Sequence, residues 1–328
     1  MRYAGDGSSM ITVGRVTVNA SQVARQPDMF YIASRLGCNR VCSTVKIAPT
    51  DETPRSDGPL TAIRGGTVVT PGGAQAADLL IRGERIAAVG SEGTDADAVI
   101  DARGLVVLPG GLDPHVHLGD LGIAHRETIA HGTAAALLGG ITSLFEHPLS
   151  VPATTTAARY AAKRVLAERD SRLDIGLWGA IVPGELDEIP GQWRAGARGF
   201  KAFVVDSGGI FPRSDDDTLL EGMRRVAALG GLVLVHCESN AIVAGETRRI
   251  RAAGGRDGRA HAESRPPIAE TEATSRVLHL ARAAGARVQI VHVSDADAAA
   301  ADGDAVTLEH TLHHLILDIE PCTPGRRR

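Results

Sequence analysis

From residue 105 onward the chain alternates short apolar runs with longer amphipathic ones. The runs LVVLPGGLD (105–113), ITSLFEHP (141–148), LDIGLWGAIV (173–182), GFKAFVV (199–205), GLVLVHCE (231–238), RVQIVHVS (287–294) and AVTLE (305–309) have the length and β-branched content of buried strands. Between them, RETIAHGTAAALLGG, TTTAARYAAKRVLAERD, DDDTLLEGMRRVAALG and IAETEATSRVLHLARAAG carry the spacing of helices. Asp215 to Asp217 form a helix start and Gly230 a stop. Strand–helix alternation implies a parallel sheet. Strands in series with polar residues at their C-terminal ends predict an α/β fold of the TIM-type (β/α) barrel kind. A doubly wound open sheet is the rival, but no Gly-rich dinucleotide fingerprint follows the first strand.

Ahead of this region the rhythm differs. TAIRGGTVVTPG, ADLLIRGERIAAVG and AVIDARGLVVLPG are β-rich runs broken by Gly turns, which predicts a small β-sheet unit over 60–107. Residues 1–59 hold no sustained period and read as a poorly structured extension. IAPTDETPRSDGPL (47–60) reads as a linker.

Composition narrows the function. Hydrophobic residues make up 43% and charged residues 23%, as in a globular domain. Aromatics are 3%, so Ala, Val, Leu and Ile must build the core. A net charge of −4 argues against nucleic acid as a partner. No apolar run reaches the roughly 18 residues of a membrane helix. Four scattered cysteines, Cys38, Cys42, Cys237 and Cys322, predict a reducing cytoplasm without a disulfide framework. Cys38 and Cys42 lack a second pair and read as ordinary thiols rather than metal ligands.

The candidate chemistry lies at the strand ends. In GLDPHVHLGD, His115 and His117 are two residues apart, so in a strand both project to one face, at the mouth of the expected barrel. Two converging imidazoles suit Zn²⁺ or a similar ion. His236 closes GLVLVH and His292 closes RVQIVH. Singly, each reads as a core histidine; the repetition at successive strand ends points to a site. Lys201 interrupts the apolar run GFKAFVV, where an ammonium is costly unless it is paired or chemically altered. It either snorkels to a surface carboxylate or becomes an anionic ligand. His125, His131 and His147 read as surface or packing residues, His261 and His279 as loop and helix-face residues. His310, His313 and His314 read as a solvated cluster.

GLDPHVH, GFKAF, LVHCE and IVHVS, in this order, resemble the cyclic amidohydrolases: allantoinases, hydantoinases and dihydroorotases. The likeness spans about residues 61–318. It implies that His115 and His117 bind one divalent metal ion and that His236 and His292 bind a second. It implies that Lys201, carboxylated by CO₂, bridges the two, with zinc the foremost ion. LDIGLWGAIVPGELDEIPGQWRAGARGFKAFVVDSGGIFP and EHPLSVPATTT look most like allantoinases. Dihydroorotases usually carry an Arg after the HxH and an Asn after the second strand. Here Leu118 and Gly119 follow His117, and Pro148 and Leu149 follow His147.

The implied reaction is hydrolysis of a cyclic amide, allantoin to allantoate, by a homo-oligomer acting on a small molecule. A hydantoinase, dihydropyrimidinase or dihydroorotase-type hydrolase is the alternative. Ser294, two residues beyond His292, is the candidate for presenting backbone groups to the ring; an ordinary turn serine is the competing reading. Near the end the family pattern fades, and only Glu309 and His313 match the segment after strand seven. The expectation is a barrel spanning 108–318 that is incomplete at strand 8, after a partial β-sandwich unit and before a tail at 319–328. The family's general-base aspartate is then missing, and Asp318 lies in the wrong place to replace it. On that expectation catalysis is impaired. Two further readings follow, a non-catalytic partner-binding protein derived from the barrel and an inactive gene fragment.

Overall fold

The computed structural model describes residues 10–11, 58–90, 93–295, 297–298 and 305–316. Cys38, Cys42, Asp318 and Cys322, nearly all of the expected extension and the whole expected tail lie outside them. The chain forms two compact units. One holds the residues up to Glu146 together with Arg164–Gly176, and the other holds His147–Lys163 and the residues from Leu177 onward. No helix among the described residues is long and apolar enough to cross a membrane.

In the first unit, β2 (Leu60–Thr70), β3 (Gly73–Arg82) and β4 (Arg85–Val89) form an antiparallel meander. The strands β5 (Ala98–Asp101) and β6 (Val106–Val107) pair parallel with β2, and β1 (Met10–Ile11) pairs parallel with β6. The Gly-broken runs predicted this sheet. A β-bulge between Ile63 and Gly66, with Gly65 at φ 73°, shifts the alternation of β2 by one residue. Odd-numbered Ile63 and even-numbered Val68 therefore enter one core with Leu79, Ala102 and Val107. The same unit carries a second sheet of β7 (Gly111–Val116), β8 (Ile141–Glu146) and β9 (Asp174–Leu177), with β7 and β8 parallel. Helix α1 (Ile129–Leu138) connects β7 to β8, and its N-cap Thr128 accepts a hydrogen bond from the His131 N–H. Helix α2 (Ala157–Asp170) leads to β9.

The second unit is built on five parallel strands in chain order: β10 (Gly179–Ala180), β11 (Gly199–Phe203), β12 (Leu232–His236), β13 (Arg287–Ile290) and β14 (Val306–Leu308). The apolar run 173–182 is thus two strands, β9 and β10, that break at Trp178. All five residues of β11 are buried, as a central parallel strand requires. After a 3₁₀ turn at Leu186–Glu188, α3 (Ile189–Arg194) precedes β11. Helix α4 (Asp216–Ala228) begins where the sequence predicts, with the Asp215 carboxylate accepting from the Thr218 N–H. It buries Leu219, Gly222, Met223 and Val226, an i, i+3, i+4, i+7 stripe. Gly230, at φ 72°, follows its end. Helix α7 (Pro267–Ala284) starts on Pro267, stops at left-handed Gly285 and buries Ala269, Ala273, Thr274, Val277 and Ala281. Small residues on that face let it lie close to its neighbours, which suits a chain poor in aromatics. The helices α5 (Asn240–Ala252) and α6 (Gly258–Glu263) are absent from the pattern reading. Each buries a single side chain, Val243 and Ala260, so neither carries an apolar stripe. The last helix, α8 (Leu312–Ile316), follows β14.

Candidate metal centre

The first unit holds the histidine pair. His115 lies in the last residues of β7 and His117 just beyond its end. His115 is half-buried and His117 exposed, and their rings meet edge to face with centroids 5.2 Å apart, as the i, i+2 spacing requires. The strand end is held from both sides. The Asp113 carboxylate accepts from the His115 N–H at 3.0 Å, and the fully buried Glu146 accepts from the Leu118 N–H at 3.0 Å. The next residue must be glycine. A Cβ on Gly119 would lie 2.4 Å from the Ile123 carbonyl oxygen and 2.7 Å from that of Glu127. Leu118, 3% exposed, points inward. The two positions after the HxH therefore offer no polar side chain to a ligand.

The second unit holds Lys201, His236 and His292. Strand period and register place the first two. Lys201 and Phe203 share one face of β11, and Phe203 is paired with His236 on β12. The Phe203 and His236 rings stack at 4.9 Å, and the Lys201 Nζ lies over the same phenyl ring, 4.9 Å from its centre. Lys201 is fully buried, and its Nζ has no hydrogen-bond partner among the described residues. Burial drives its pKa down from 10.5 to about 7, against the pull of Glu309 and Cys237. Among the described residues the ammonium reaches no surface carboxylate, which disfavours the snorkelling reading. Glu309 was read only as a family match after strand seven. The main-chain bonds from the Val293 N–H to the Glu309 carbonyl, and from the Glu309 N–H to the Ile290 carbonyl, fix it beside β13, and its side chain accepts from Gln289 Nε2 at 2.7 Å.

His292 does not end its strand. It lies two residues past β13 and is the one non-glycine among the described residues at positive φ, 42°. That turn brings its ring edge-on to His236 at 4.5 Å. Ser294 is engaged by α7: its N–H and hydroxyl both donate to the Glu270 carboxylate, at 2.8 and 2.5 Å. Thr271, next along α7, donates to Asp295.

His236 is mostly desolvated, which lowers its pKa and favours the neutral imidazole. Its Nε2 lies 2.6 Å from Glu238 Oε2, and Arg265 Nη1 donates to the same oxygen at 2.6 Å. Burial would raise the Glu238 pKa, but His236 and Arg265 outweigh it and hold the carboxyl below its usual range. Sequence reasoning missed Glu238 and Arg265. The signal available was an acidic residue two positions after a candidate ligand, on the same face of an extended strand. Between His236 and Glu238, Cys237 is buried and its thiol is pushed up to about 12 by desolvation, so it is inert.

The other histidines take ordinary roles. His147 is fully buried beside Trp178, and His131 is an exposed partner of Glu127. The His279 ring contacts the Ser275 carbonyl oxygen, and the exposed rings of His313 and His314 touch each other. Among the described residues no three or more His, Cys, Asp or Glu side chains are gathered as a metal site. The donors occur as a histidine pair in each unit, with a lysine added in the second. A buried amine with no hydrogen-bond partner among the described residues, over the phenyl ring on which His236 stacks, fits a cationic ion if the amine becomes an anion.

Residues 104–298 match the family model described as dihydro-orotase-like. An allantoinase of Solibacter usitatus (strain Ellin6076) is 47% identical over 248 residues, which are 75% of this chain and 54% of that protein. An L-hydantoinase of Paenarthrobacter aurescens is 36% identical over 70% of this chain and 51% of its own length. Among solved structures, the L-hydantoinase (dihydropyrimidinase) from Arthrobacter aurescens aligns with a TM-score of 0.73 at 34% identity. That alignment covers 76% of this chain and 58% of the other. The dihydropyrimidinase from Brevibacillus agri NCHU1002 aligns at 0.72 and 34%, over 79% and 59%. The chain spans a little over half the length of the curated relatives it matches.

Proposed function

Because the chain belongs to the dihydro-orotase-like family of cyclic amidohydrolases, we propose that it serves the metal-dependent hydrolysis of a ring amide, with allantoin the first candidate substrate. The observation that carries this reading is Lys201, a fully buried amine with no hydrogen-bond partner among the described residues. An amine held near neutrality can attack CO₂. The N–C bond forms, a proton leaves, and the resulting carbamate is an anionic oxygen ligand. His115, His117, His236 and His292 are the proposed nitrogen donors. Two divalent ions, zinc foremost, would supply Lewis acidity toward the ring carbonyl and a water of lowered pKa. The chain's own part is to hold the donors. Burial favours the neutral form of His236, Asp113 and Glu146 fix the end of β7, and the left-handed turn at His292 sets its ring against His236. Ser294, fastened to Glu270, is proposed to present its main chain to the ring. No described residue is assigned as general base. Closure of the parallel strands into a barrel is part of this proposal.

A hydantoin or dihydropyrimidine is the second reading, favoured by the likeness to solved structures of a hydantoinase and a dihydropyrimidinase. Allantoin itself contains a hydantoin ring, so those two substrates differ in the ring substituent, whereas a dihydropyrimidine differs in ring size. Dihydroorotate is disfavoured, because Leu118 is buried and Gly119 admits no side chain.

The test has two arms. Protein loaded with zinc and ¹³C-bicarbonate is examined by ¹³C NMR for a carbamate signal that Lys201→Ala abolishes. The same preparation is assayed on allantoin, 5-substituted hydantoins and dihydrouracil. Zinc and carbamate loading with turnover of allantoin supports the proposal. Full loading with no ring opened overturns the hydrolytic reading, and absence of carbamate overturns the role of Lys201.

A further inference from the structure

We propose that Glu238, anchored by Arg265, is a positioning residue that sets the orientation and tautomer of His236. The inference rests on the metal reading above. His236 Nε2 lies 2.6 Å from Glu238 Oε2, and that oxygen is also 2.6 Å from Arg265 Nη1. An ionised carboxylate can only accept, so the imidazole proton is on Nε2 and the lone pair is on Nδ1. Nδ1 is then the atom that His236 offers to a metal ion. The ring plane is fixed as well. Phe203 stacks on it at 16° between planes, and His292 meets it edge-on. Arg265 sits in the turn between α6 and α7, while Glu238 lies two residues past the end of β12, so the pair ties the two loops together. The side chains of Glu238 and Arg265 are 17% and 30% exposed, which leaves the pair little competing water. Such partners of ligating histidines raise ligand basicity and restrict ring rotation, and their loss weakens metal binding on the order of 10- to 100-fold.

Two readouts test this, and neither requires turnover. In metal-free protein labelled with ¹⁵N-histidine, the His236 ring should be protonated at Nε2. In Glu238→Ala that preference should disappear, and zinc affinity measured by competition with a chelating dye should fall on the order of 10- to 100-fold. Glu238→Gln keeps an accepting oxygen and should recover most of both. Arg265→Met should fall between the two, because it frees the carboxylate without removing it. If Glu238→Ala does not fold, the Gln and Met variants carry the test. Wild-type protein protonated at Nδ1, or a Glu238→Ala or Arg265→Met variant with unchanged tautomer and zinc affinity, overturns the proposal. A wild type that shows the Nε2 proton but binds no zinc sinks the metal reading and leaves the positioning intact.

Discussion

Replacing Lys201 by Met should stabilise the metal-free protein, and the gain should depend on pH. Lys201 is fully buried, and its pKa falls from 10.5 to about 7 on folding because burial penalises the ammonium. The folded-state pKa is depressed, so the unfolded chain binds more protons between pH 7 and 10.5. Stability therefore rises with pH across that window. At and below pH 7 the folded protein must carry a buried charge. A shift from 10.5 to about 7 corresponds to a penalty of about 4 kcal/mol near neutral pH, at 1.36 kcal/mol per unit. By pH 9 about 2 kcal/mol of that penalty is relieved. Against a typical total of 5–15 kcal/mol this is a large fraction. Methionine fills a similar volume without the charge. The assay is urea unfolding at pH 7 and pH 9 in buffers stripped of CO₂ and treated with chelator. Wild type should gain about 2 kcal/mol between the two. Lys201→Met should lack that component and exceed wild type at pH 7. A Met variant less stable than wild type at pH 7, or a wild-type stability unchanged from pH 7 to 9, would refute the reasoning. Such cost at one position is what a residue kept for its chemistry looks like, since an apolar side chain would pack there more cheaply.

Three other outcomes are expected. Gly119→Ala must push its Cβ into the Ile123 and Glu127 carbonyl oxygens. Thermal unfolding should show a loss of about 1–3 kcal/mol, and a neutral result would mean that the loop after β7 yields easily. Asp215→Ala removes the acceptor for the Thr218 N–H and should cost about 1 kcal/mol by urea titration, while Asp215→Asn should recover most of it. Cys237 is 3% exposed, with its thiol pushed up to about 12. Peptide mapping after maleimide treatment should find it unmodified in native protein at pH 7.5 and labelled only after unfolding.

Much of the architecture was readable from pattern alone. Parallel strands buried on both faces must be continuously apolar, so the runs containing Phe200, Leu234 and Ile290 announced themselves; α7 showed as a helical run, and α4 could be bounded from Asp215 and Gly230. Strand alternation likewise paired His115 with His117, and the cost of burying an ammonium marked Lys201. Pattern failed where helices lack an apolar stripe, as in α5 and α6, and where an apolar run is interrupted, as at Trp178. Only the tertiary structure decided that Lys201 has no hydrogen-bond partner among the described residues, that His292 turns back on itself to meet His236, and that Arg265 reaches Glu238 across 27 residues of chain. The physical reason is range. Periodicity and capping act over a few residues and are written into neighbouring letters. Desolvation and hydrogen bonding between distant segments depend on which strands pair and in what register, and that exists only once the sheet has formed.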